Sequence, residues 1–384
     1  MPDAHHWFEP VADDLESLAW LTWARGVDSH LSAYVWVPGG ATVETQLAMP
    51  DVSSLPLGST AGGTEPVVMA DAIAVDGTTW TAVAAVRDAP DEQTNAFVAW
   101  QGDTESTAED ERVAPALLEP PEGTRPGAPS AAGRSGDAAV VAALTSDIAA
   151  DDAAGYPPVT GLATWTSTGG GPWEVAAPDL GLDTHLVSIG LAGHNTRLIL
   201  AGVTDDGRAH LWTSSDGKAW TAVDQGLPDD VAEVDVVTAA ANDTVAVAWH
   251  PRDADSEKLE ADRGASLLHT LTAGRLVDRG AVAFADDVDL ERVDIHGVVE
   301  VADERLVLAG AGHPGTGYEP VPVVWTQDGD DWAATEQPQL VGRLDFEMRG
   351  LAMATDRDGD GTGLRAIVTG WGVDVEQWEW HGGA

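Results

Sequence analysis

The stretch WTSSDGKAW, residues 212–220, predicts the fold because the chain repeats weaker versions of it. WTQDGDDW (residues 325–332) and WTSTGGGPW (residues 165–173) have the same layout. In each, an aromatic residue ends one strand, a turn of Ser, Thr, Asp and Gly follows, and a second Trp begins the next strand. The flanking Trp side chains are large enough to pack on a neighbouring sheet. The repeated unit is therefore a hairpin, and its turn indicates architecture rather than chemistry.

A second repeat is a short apolar strand rich in Ala and Val. Its seven copies are SAYVWVP from Ser32, TAVAAVRD from Thr81, AAVVAALTSD from Ala138, RLILAGVTD from Arg197, TVAVAWHP from Thr244, RLVLAGAGH from Arg305 and LRAIVTGWG from Leu364. Their spacing of roughly 50–60 residues fits a four-stranded blade, at or somewhat above the roughly 40–50 residues of a propeller repeat. Residues 15–26 could pass for a helix, but their place in the repeat predicts an inner strand. Short strands separated by Gly and Asp turns continue throughout, so the sequence predicts an all-β protein.

The two ends of the sequence predict how the ring of blades closes. EQWEWHGGA (residues 376–384) is interpreted as a third strand that no fourth strand follows, while HHWFEPVADD (residues 5–14) resembles the fourth strand WTAVDQGLPDD (residues 220–230). Because closure removes an unpaired strand edge, we expect the N-terminal strand to complete the last blade. The predicted fold is a single domain, residues 1–384, forming a seven-bladed β-propeller of four-stranded antiparallel blades.

Composition excludes several classes of function. A formal net charge of −45 with 43% hydrophobic residues describes a folded protein whose acidic surface repels nucleic acid. No apolar run is long enough to span a bilayer, and the absence of cysteine removes disulfides and thiolate metal sites. The first residues do not form a signal peptide. We expect an extracellular or cell-envelope protein, monomeric by itself, whose leader is absent from this chain. The alternative is a cytoplasmic protein of a salt-rich or GC-rich organism.

The hairpin turns resemble the Asp-box (BNR) repeats found in sialidases, sortilin-type receptors and photosystem assembly factors. The residues that carry the resemblance are Ser214, Asp216, Gly217 and Trp220 in one turn, Asp328, Gly329 and Trp332 in a second, and Gly169 and Gly170 at the Asp–Gly place of a third. In that family the boxes are structural and lie away from the face that binds ligand. The resemblance therefore implies a sialidase/sortilin-like propeller and assigns no catalytic residue.

The sequence lacks the catalytic set that sialidase activity would require. That class of enzyme uses three Arg around the substrate carboxylate, a Tyr–Glu nucleophile pair and an acidic proton donor. The family's N-terminal Arg-Ile-Pro signature is absent, and the adjacent Tyr318 and Glu319 lie in a Gly/Pro-rich loop. No Ser–His–Asp order is evident either. The residues favour a non-catalytic protein. The alternative is a glycan-active enzyme, a glycoside hydrolase or sialidase-like, with a site at the central channel.

DRDGDGTG, residues 356–363, is the sharpest chemical motif. Carboxylates at every second position followed by Gly match the first half of a calcium loop, whose ligands would be the side chains of Asp356, Asp358 and Asp360 and the carbonyl of Thr362. The closing Glu of a helical loop would fall at Ile367, which cannot coordinate a metal. The motif predicts a structural calcium ion, and the alternative is an acidic solvated turn.

Histidine and tryptophan residues offer two weaker hypotheses. If the chain ends meet, His5, His6 and His381 could bind a transition metal, although terminal His clusters are more often incidental. The scattered His250 and His269 are interpreted as satisfied strand or loop residues. The Trp residues that recur at blade positions, Trp100, Trp165, Trp212 and Trp325 among them, are explained by packing between sheets rather than by stacking on a carbohydrate.

Long loops predict where a partner binds. In propellers, loops between second and third strands lie on the same face as the links between blades, opposite the Asp-box turns. The sequence is long there at residues 89–95, 148–160, 252–265 and 313–320. Insertions that collect on one face indicate that this face does the binding. We therefore expect a recognition scaffold for a protein or polysaccharide partner.

Overall fold

The computed structural model confirms an all-β protein. It describes residues 8–13, 17–24, 30–36, 42–51, 67–88, 93–105, 112–127, 131–148, 159–194, 196–223, 225–238, 244–252, 265–272, 274–283, 290–301, 305–314, 321–329, 331–336, 346–355, 362–370 and 376–380. Throughout these ranges the regular elements are β-strands. A helix of the length and apolar character needed to cross a membrane does not occur in them.

The described strands follow one another along the whole chain. The first half contains β1 (Phe8–Asp13), β2 (Ser17–Ala24), β3 (His30–Trp36), β4 (Thr42–Leu47), β5 (Val67–Asp76), β6 (Thr79–Asp88), β7 (Gln93–Asp103), β8 (Ala116–Leu118), β9 (Thr124–Pro126), β10 (Ala131–Ser135), β11 (Ala138–Asp147), β12 (Val159–Thr168), β13 (Glu174–Ala176) and β14 (Leu186–His194). The second half contains β15 (Arg197–Thr204), β16 (Ala209–Ser214), β17 (Thr221–Ala222), β18 (Val231–Thr238), β19 (Thr244–Pro251), β20 (Ala265–Thr272), β21 (Arg275–Ala283), β22 (Leu290–Val301), β23 (Arg305–Pro314), β24 (Val321–Asp328), β25 (Asp331–Glu336), β26 (Phe346–Thr355), β27 (Thr362–Gly370) and β28 (Glu376–Trp380).

The described strands pair into seven antiparallel sheets in chain order. They are sheet 1 (β1–β4), sheet 2 (β5–β8), sheet 3 (β10–β13, with β9 added beside β11), sheet 4 (β14–β17), sheet 5 (β18–β21), sheet 6 (β22–β25) and the three-stranded sheet 7 (β26–β28). Apart from β9, which pairs with β11, successive strands of each sheet are neighbours, so the sheets are meanders. Because the pairing is local, each sheet is built from one contiguous stretch of sequence.

The apolar runs are second strands that are buried on both faces. Along β11, Val140 and Ala142 pack with residues of sheet 4, while Val141 and Ala143 pack with residues of sheet 2. The same alternation occurs in β6, β15 and β19. Since successive side chains of a strand point to opposite faces, a strand between two sheets needs an uninterrupted apolar sequence. This explains why the repeat is a run of Ala and Val instead of an alternating pattern.

The first strands of the sheets contact one another in chain order. β1 and β2 contact β5, β5 contacts β10, β10 contacts β14, β14 contacts β18, β18 contacts β22, and β22 contacts β26. The last of these first strands, β26, contacts β1. Each sheet therefore has a neighbouring sheet on both sides.

Buried Trp side chains join third strands to the preceding sheet. Trp100 of β7 donates from Nε1 to the carbonyl of Ala48, which follows β4, at 2.9 Å. Trp165 of β12 makes the equivalent bond to the carbonyl of Glu119, which follows β8, at 2.7 Å. Trp100, Trp165, Trp212 and Trp325 are all at most 2% exposed. Packing between sheets thus accounts for these aromatic residues, and their rings are not available for stacking on a sugar.

The predicted closure by the N-terminal strand is wrong. Phe8–Asp13 pairs with Ser17–Ala24 as the first strand of sheet 1, so it does not extend sheet 7 beside Glu376–Trp380. The copy of the apolar repeat at Ser32 was correspondingly misplaced, because it belongs to the third strand β3 and not to a second strand. Closing a hairpin between neighbours in sequence costs much less entropy than joining the two ends of the chain. The local partner therefore prevails.

Candidate functional site

The meander order gives each sheet two different edges. Connections between first and second strands, and between third and fourth strands, lie at one edge, which we call the turn edge. Connections between second and third strands lie at the opposite edge together with the passage from one sheet to the next, and we call this the link edge. The turn at residues 214–220 lies at the turn edge, and Arg252, which follows β19, lies at the link edge.

The turn at residues 214–220 is closed by its own side chains. Asp216 Oδ1 accepts hydrogen bonds from the main-chain N–H groups of Lys218 and Ala219, at 2.9 and 3.0 Å, and from Ser214 Oγ at 3.1 Å. Ser214 Oγ in turn accepts from the N–H of Gly217 at 2.9 Å. The N–H groups of Ala219 and Lys218 lower the pKa of Asp216 below its ordinary value. The Ser-x-Asp-Gly layout of this turn therefore follows from internal hydrogen bonding, with no ligand required.

The same turn packs on the preceding sheet. Gly217 is buried with a φ of 71°, and a Cβ at this position would lie 2.3 Å from Cγ2 of Val140 and 3.2 Å from Oγ1 of Thr166. Lys218 Nζ lies 2.5 Å from Oε2 of Glu174 on β13. All three partners belong to sheet 3, so the turn of sheet 4 is a structural contact between sheets.

The link edge of sheet 4 carries a polar cluster around Thr204. Its hydroxyl donates to Asp206 Oδ1 at 2.7 Å and lies 3.2 Å from Nε2 of His210. Asp206 also forms an ion pair with Arg208 at 3.2 Å, and the side chain of Arg208 is 72% exposed. The hydrogen bond from Thr204 lowers the pKa of Asp206. This cluster presents a carboxylate, a guanidinium and an imidazole at one place on the surface.

His210 is held against the core by an aromatic contact. Its ring stacks on the indole of Trp212 at a centroid distance of 5.6 Å and an interplanar angle of 14°. Burial lowers the pKa of His210, and the neighbouring Asp206 partly offsets that shift. Since burial disfavours the charged imidazolium, the neutral ring, which can both donate and accept, is favoured.

The segment between β17 and β18, which leads from sheet 4 to sheet 5, is hydrogen-bonded to the link edges of both sheets. Val231 donates its main-chain N–H to the carbonyl of Gly207 at 3.0 Å, and Arg252 donates its N–H to the carbonyl of Asp230 at 2.9 Å. Asp230 has a φ of 59°, a conformation that Asp tolerates better than most residues. The segment therefore lies between the second-to-third connections of both sheets and is bonded to each.

Sheet 5 brings Asp235, His250 and Ser266 together across three neighbouring strands. His250 Nε2 lies 3.0 Å from Asp235 Oδ2, and His250 Nδ1 lies 3.3 Å from Ser266 Oγ. Ser266 is fully buried and His250 is 2% exposed, whereas the side chain of Asp235 is 52% exposed. The expectation of a satisfied His250 is confirmed. The sequence did not show that an Asp, a His and a Ser form one hydrogen-bonded group.

The metal predictions fall mostly outside the described residues. Asp356, Asp358, Asp360, His5, His6 and His381 all lie there, as do Tyr318 and Glu319. Thr362 is the first residue of β27 and is paired with Thr355 of β26. Within the part of the chain that the structure describes, no group of three or more His, Asp or Glu side chains is arranged to hold a metal ion.

The structure shows two polar groups that sequence reasoning missed, the Thr204 cluster and the Asp235–His250–Ser266 group. One signal was available for the second group. His250 ends the apolar run TVAVAWHP, and Asp235 interrupts the apolar run VDVV. Polar residues on strands that are otherwise buried need polar partners, so each of them predicts another.

The chain matches no protein-family model and no curated protein. It is similar to the solved structure of Trypanosoma rangeli sialidase in complex with 2,3-difluorosialic acid, at 14% identity and a TM-score of 0.46, over 86% of this chain and 53% of that one. It therefore spans about half the length of that sialidase. It is also similar to the β-propeller domain of the Trilobed protease from Pyrococcus furiosus, at 9% identity and a TM-score of 0.46, over 100% and 94% of the two chains. A third similar structure is the intramolecular trans-sialidase from Ruminococcus gnavus, at 11% identity and a TM-score of 0.45, over 98% and 94%. These similarities assign no role to any residue of this chain.

Proposed function

We propose that the chain is a single-domain, seven-bladed β-propeller that acts as a non-catalytic recognition scaffold and binds a protein or polysaccharide partner through its link edge. The sheets would be the blades, and their turn-edge hairpins would be of the Asp-box type. The order of contacts among first strands, from β1 to β26 and back to β1, supports this architecture.

The contrast between the two edges carries the functional proposal. At the turn edge, the side chains of Ser214, Asp216 and Lys218 are engaged by the turn itself or by sheet 3. On two adjacent sheets, the exposed side chain of Arg208 at the link edge pairs with Asp206, and the exposed side chain of Asp235, on the strand β18 that begins at the link edge, bonds to the buried His250. Side chains that are positioned but remain exposed are suited to recognition.

The charge of the chain favours particular partners. Because the chain has a net charge of −45, it would attract a cationic partner, tolerate a neutral one and repel nucleic acid. We propose an exported or cell-envelope location and a monomeric state for the scaffold. Fractionation of the source cells and the mass of the purified chain in solution test these two points.

A pair of charge-reversal variants tests the binding edge. Arg208→Glu changes the link edge, and Arg197→Glu makes the same change in charge at the turn edge, where Arg197 is also exposed. The affinity of a partner captured with the intact chain should change by about fivefold or more in Arg208→Glu, rising if the partner presents cations, and should stay the same in Arg197→Glu. If both variants change binding equally, or if only Arg197→Glu does, the link edge is not the binding surface.

A glycan-active enzyme is the second candidate, and Asp235 is the observation that favours it. Glycoside hydrolysis usually needs two carboxyl groups about 5–9.5 Å apart. In the described residues the hydrogen-bonding partner of Asp235 is His250, which supports a positioned carboxylate but supplies only half of such a pair. Release of 4-methylumbelliferone from fluorogenic glycosides that disappears in Asp235→Asn would establish the enzyme instead of the scaffold.

A further inference from the structure

The Asp235–His250–Ser266 group has a defined hydrogen-bond direction. A carboxylate only accepts, so Nε2 of His250 must donate to Asp235 Oδ2. In a neutral imidazole, Nδ1 then accepts from the hydroxyl of Ser266, which lies 3.3 Å away. With the neutral ring, both bonds point toward Asp235. Successive hydrogen bonds of this kind polarise one another, so the bond from Ser266 to His250 strengthens the bond from His250 to Asp235.

The order of burial excludes nucleophilic catalysis by this group. Activation of a hydroxyl by a His–Asp pair requires the hydroxyl to meet the substrate. Here the hydroxyl of Ser266 is 0% exposed and the imidazole is 2% exposed, while the carboxylate at the other end is 52% exposed. The buried members therefore act on the carboxylate, and the carboxylate is the member that a ligand can reach.

Asp235 is placed where a ligand would meet it. It lies on β18, the first strand of sheet 5, opposite Ala248 of β19, and β18 contacts the first strand β22 of sheet 6. Glu233, two residues earlier on the same face of β18, is half-buried. Among the described residues, the only bond to the Asp235 carboxylate comes from His250, so no Lys or Arg in those ranges neutralises it.

We propose that Asp235 is a recognition carboxylate for a Lys or Arg side chain of a protein partner, with His250 as its positioning residue. This inference rests on the proposed binding role of the link edge. A hydrogen bond to a buried imidazole fixes the carboxylate before binding, so a cationic group meets an oriented acceptor without ordering it. The choice of a cationic partner agrees with the net charge of −45, which would repel an anionic one.

The probe is tetralysine, compared with its Nε-acetylated form, in which the four side-chain charges are removed. Affinity is measured by titration calorimetry at about 0.15 M salt, where long-range attraction is largely screened. The matched variants are Asp235→Asn and Asp229→Asn, which change the net charge equally. Asp229 is exposed at the same link edge. Melting temperature and far-ultraviolet circular dichroism establish that each variant is folded.

We expect Asp235→Asn to weaken tetralysine binding by about fivefold or more, Asp229→Asn by less than about twofold, and acetylated tetralysine to bind no variant. Asp235→Glu keeps the charge but moves it away from His250, so it should also weaken binding. Equal losses in Asp235→Asn and Asp229→Asn, or full affinity in Asp235→Glu, would show general attraction to an acidic surface and overturn the inference.

The two proposals fail in different ways. If Arg208→Glu changes the affinity of the captured partner while Arg197→Glu does not, and Asp235→Asn behaves like Asp229→Asn, the link edge binds but Asp235 is not the anchor. If Arg208→Glu and Arg197→Glu are equivalent, the link-edge proposal fails whatever tetralysine shows. If Asp235→Asn does not fold, Asp235→Glu and the acetylated probe still decide the question, because neither removes the carboxylate.

Discussion

Replacing Gly217 by Ala should destabilise the protein for two separable reasons. The residue has a φ of 71°, and a side chain in the left-handed region costs roughly 1–2 kcal/mol. The new Cβ would also lie 2.3 Å from Cγ2 of Val140, and overpacking of a filled site costs typically about 1–3 kcal/mol. We expect Gly217→Ala to lower the free energy of unfolding by about 2–5 kcal/mol.

Gly329 provides the control for the conformational part. It occupies the matching place in another hairpin, with a φ of 66°, but a Cβ there would meet no atom within 4 Å. Gly329→Ala should therefore cost only roughly 1–2 kcal/mol. At an unfolding entropy of about 2.1 cal/mol/K per residue, each kcal/mol corresponds to about 1 °C for a chain of this length.

The assay is thermal and urea unfolding of the two variants beside the natural chain, followed by Trp fluorescence. The melting temperature should fall by about 2–5 °C in Gly217→Ala and by about 1–2 °C in Gly329→Ala. The difference between them measures the packing of the 214–220 turn on sheet 3. Equal losses in the two variants would refute the reasoning, because the turn would then be stabilised by its own conformation alone.

Three further predictions concern single groups. The pKa of Asp216 is lower in the folded protein than its unfolded-state value of about 3.9, so the hydrogen bonds of its carboxylate stabilise the fold above that pH and are lost as the pH falls through the folded-state pKa. The stability advantage of the natural chain over Asp216→Asn should therefore shrink below about pH 4. An advantage that stays constant from about pH 6 to about pH 2 would contradict this. Trp165→Phe should lower the free energy of unfolding, measured in urea, by about 1–3 kcal/mol, and by more than Trp249→Phe does. The reason is that Nε1 of Trp165 donates to the carbonyl of Glu119, while Nε1 of the equally buried Trp249 has no partner in the described residues. Equal losses would show that the hydrogen bond contributes nothing. If Asp356, Asp358, Asp360 and Thr362 bind calcium, a free calcium concentration about a hundred times the Kd should raise the free energy of unfolding by about 2.7 kcal/mol. A chelator should then lower the melting temperature of the natural chain but not that of Asp358→Asn. No response of the natural chain to the chelator would exclude the site.

Much of the architecture was predictable because strands leave a clear trace in sequence. The apolar runs at Thr81, Ala138, Arg197 and Thr244 are all second strands, since burial on both faces demands an unbroken apolar sequence. The first sheet was misaligned because Ser17–Ala24, SLAWLTWA, carries Trp and Leu in place of the Ala and Val of the repeat. The more typical neighbour SAYVWVP was therefore assigned to its position. Because of that single shift, the N-terminal strand was predicted to pair with the last sheet instead of the first.

The polar groups of the link edge were less accessible to sequence reasoning. Asp235, His250 and Ser266 come together only because the registers of β18, β19 and β20 place them side by side. Strand positions can be derived from periodicity, but a shift of one residue in either pairing would move His250 to the opposite face of the sheet. The calcium motif is the reverse case, since its sequence is explicit while its three Asp ligands lie outside the described residues.

The pairing of Phe8–Asp13 with Ser17–Ala24 has a consequence for synthesis on the ribosome. A propeller whose first strand waited for the last residues would hold an exposed edge open until translation ended. In this protein, sheet 1 can be completed as soon as Leu47 has emerged, and each later sheet can add to a finished neighbour. Nascent chains arrested after Glu336 has left the ribosome should therefore already contain six protease-resistant sheets.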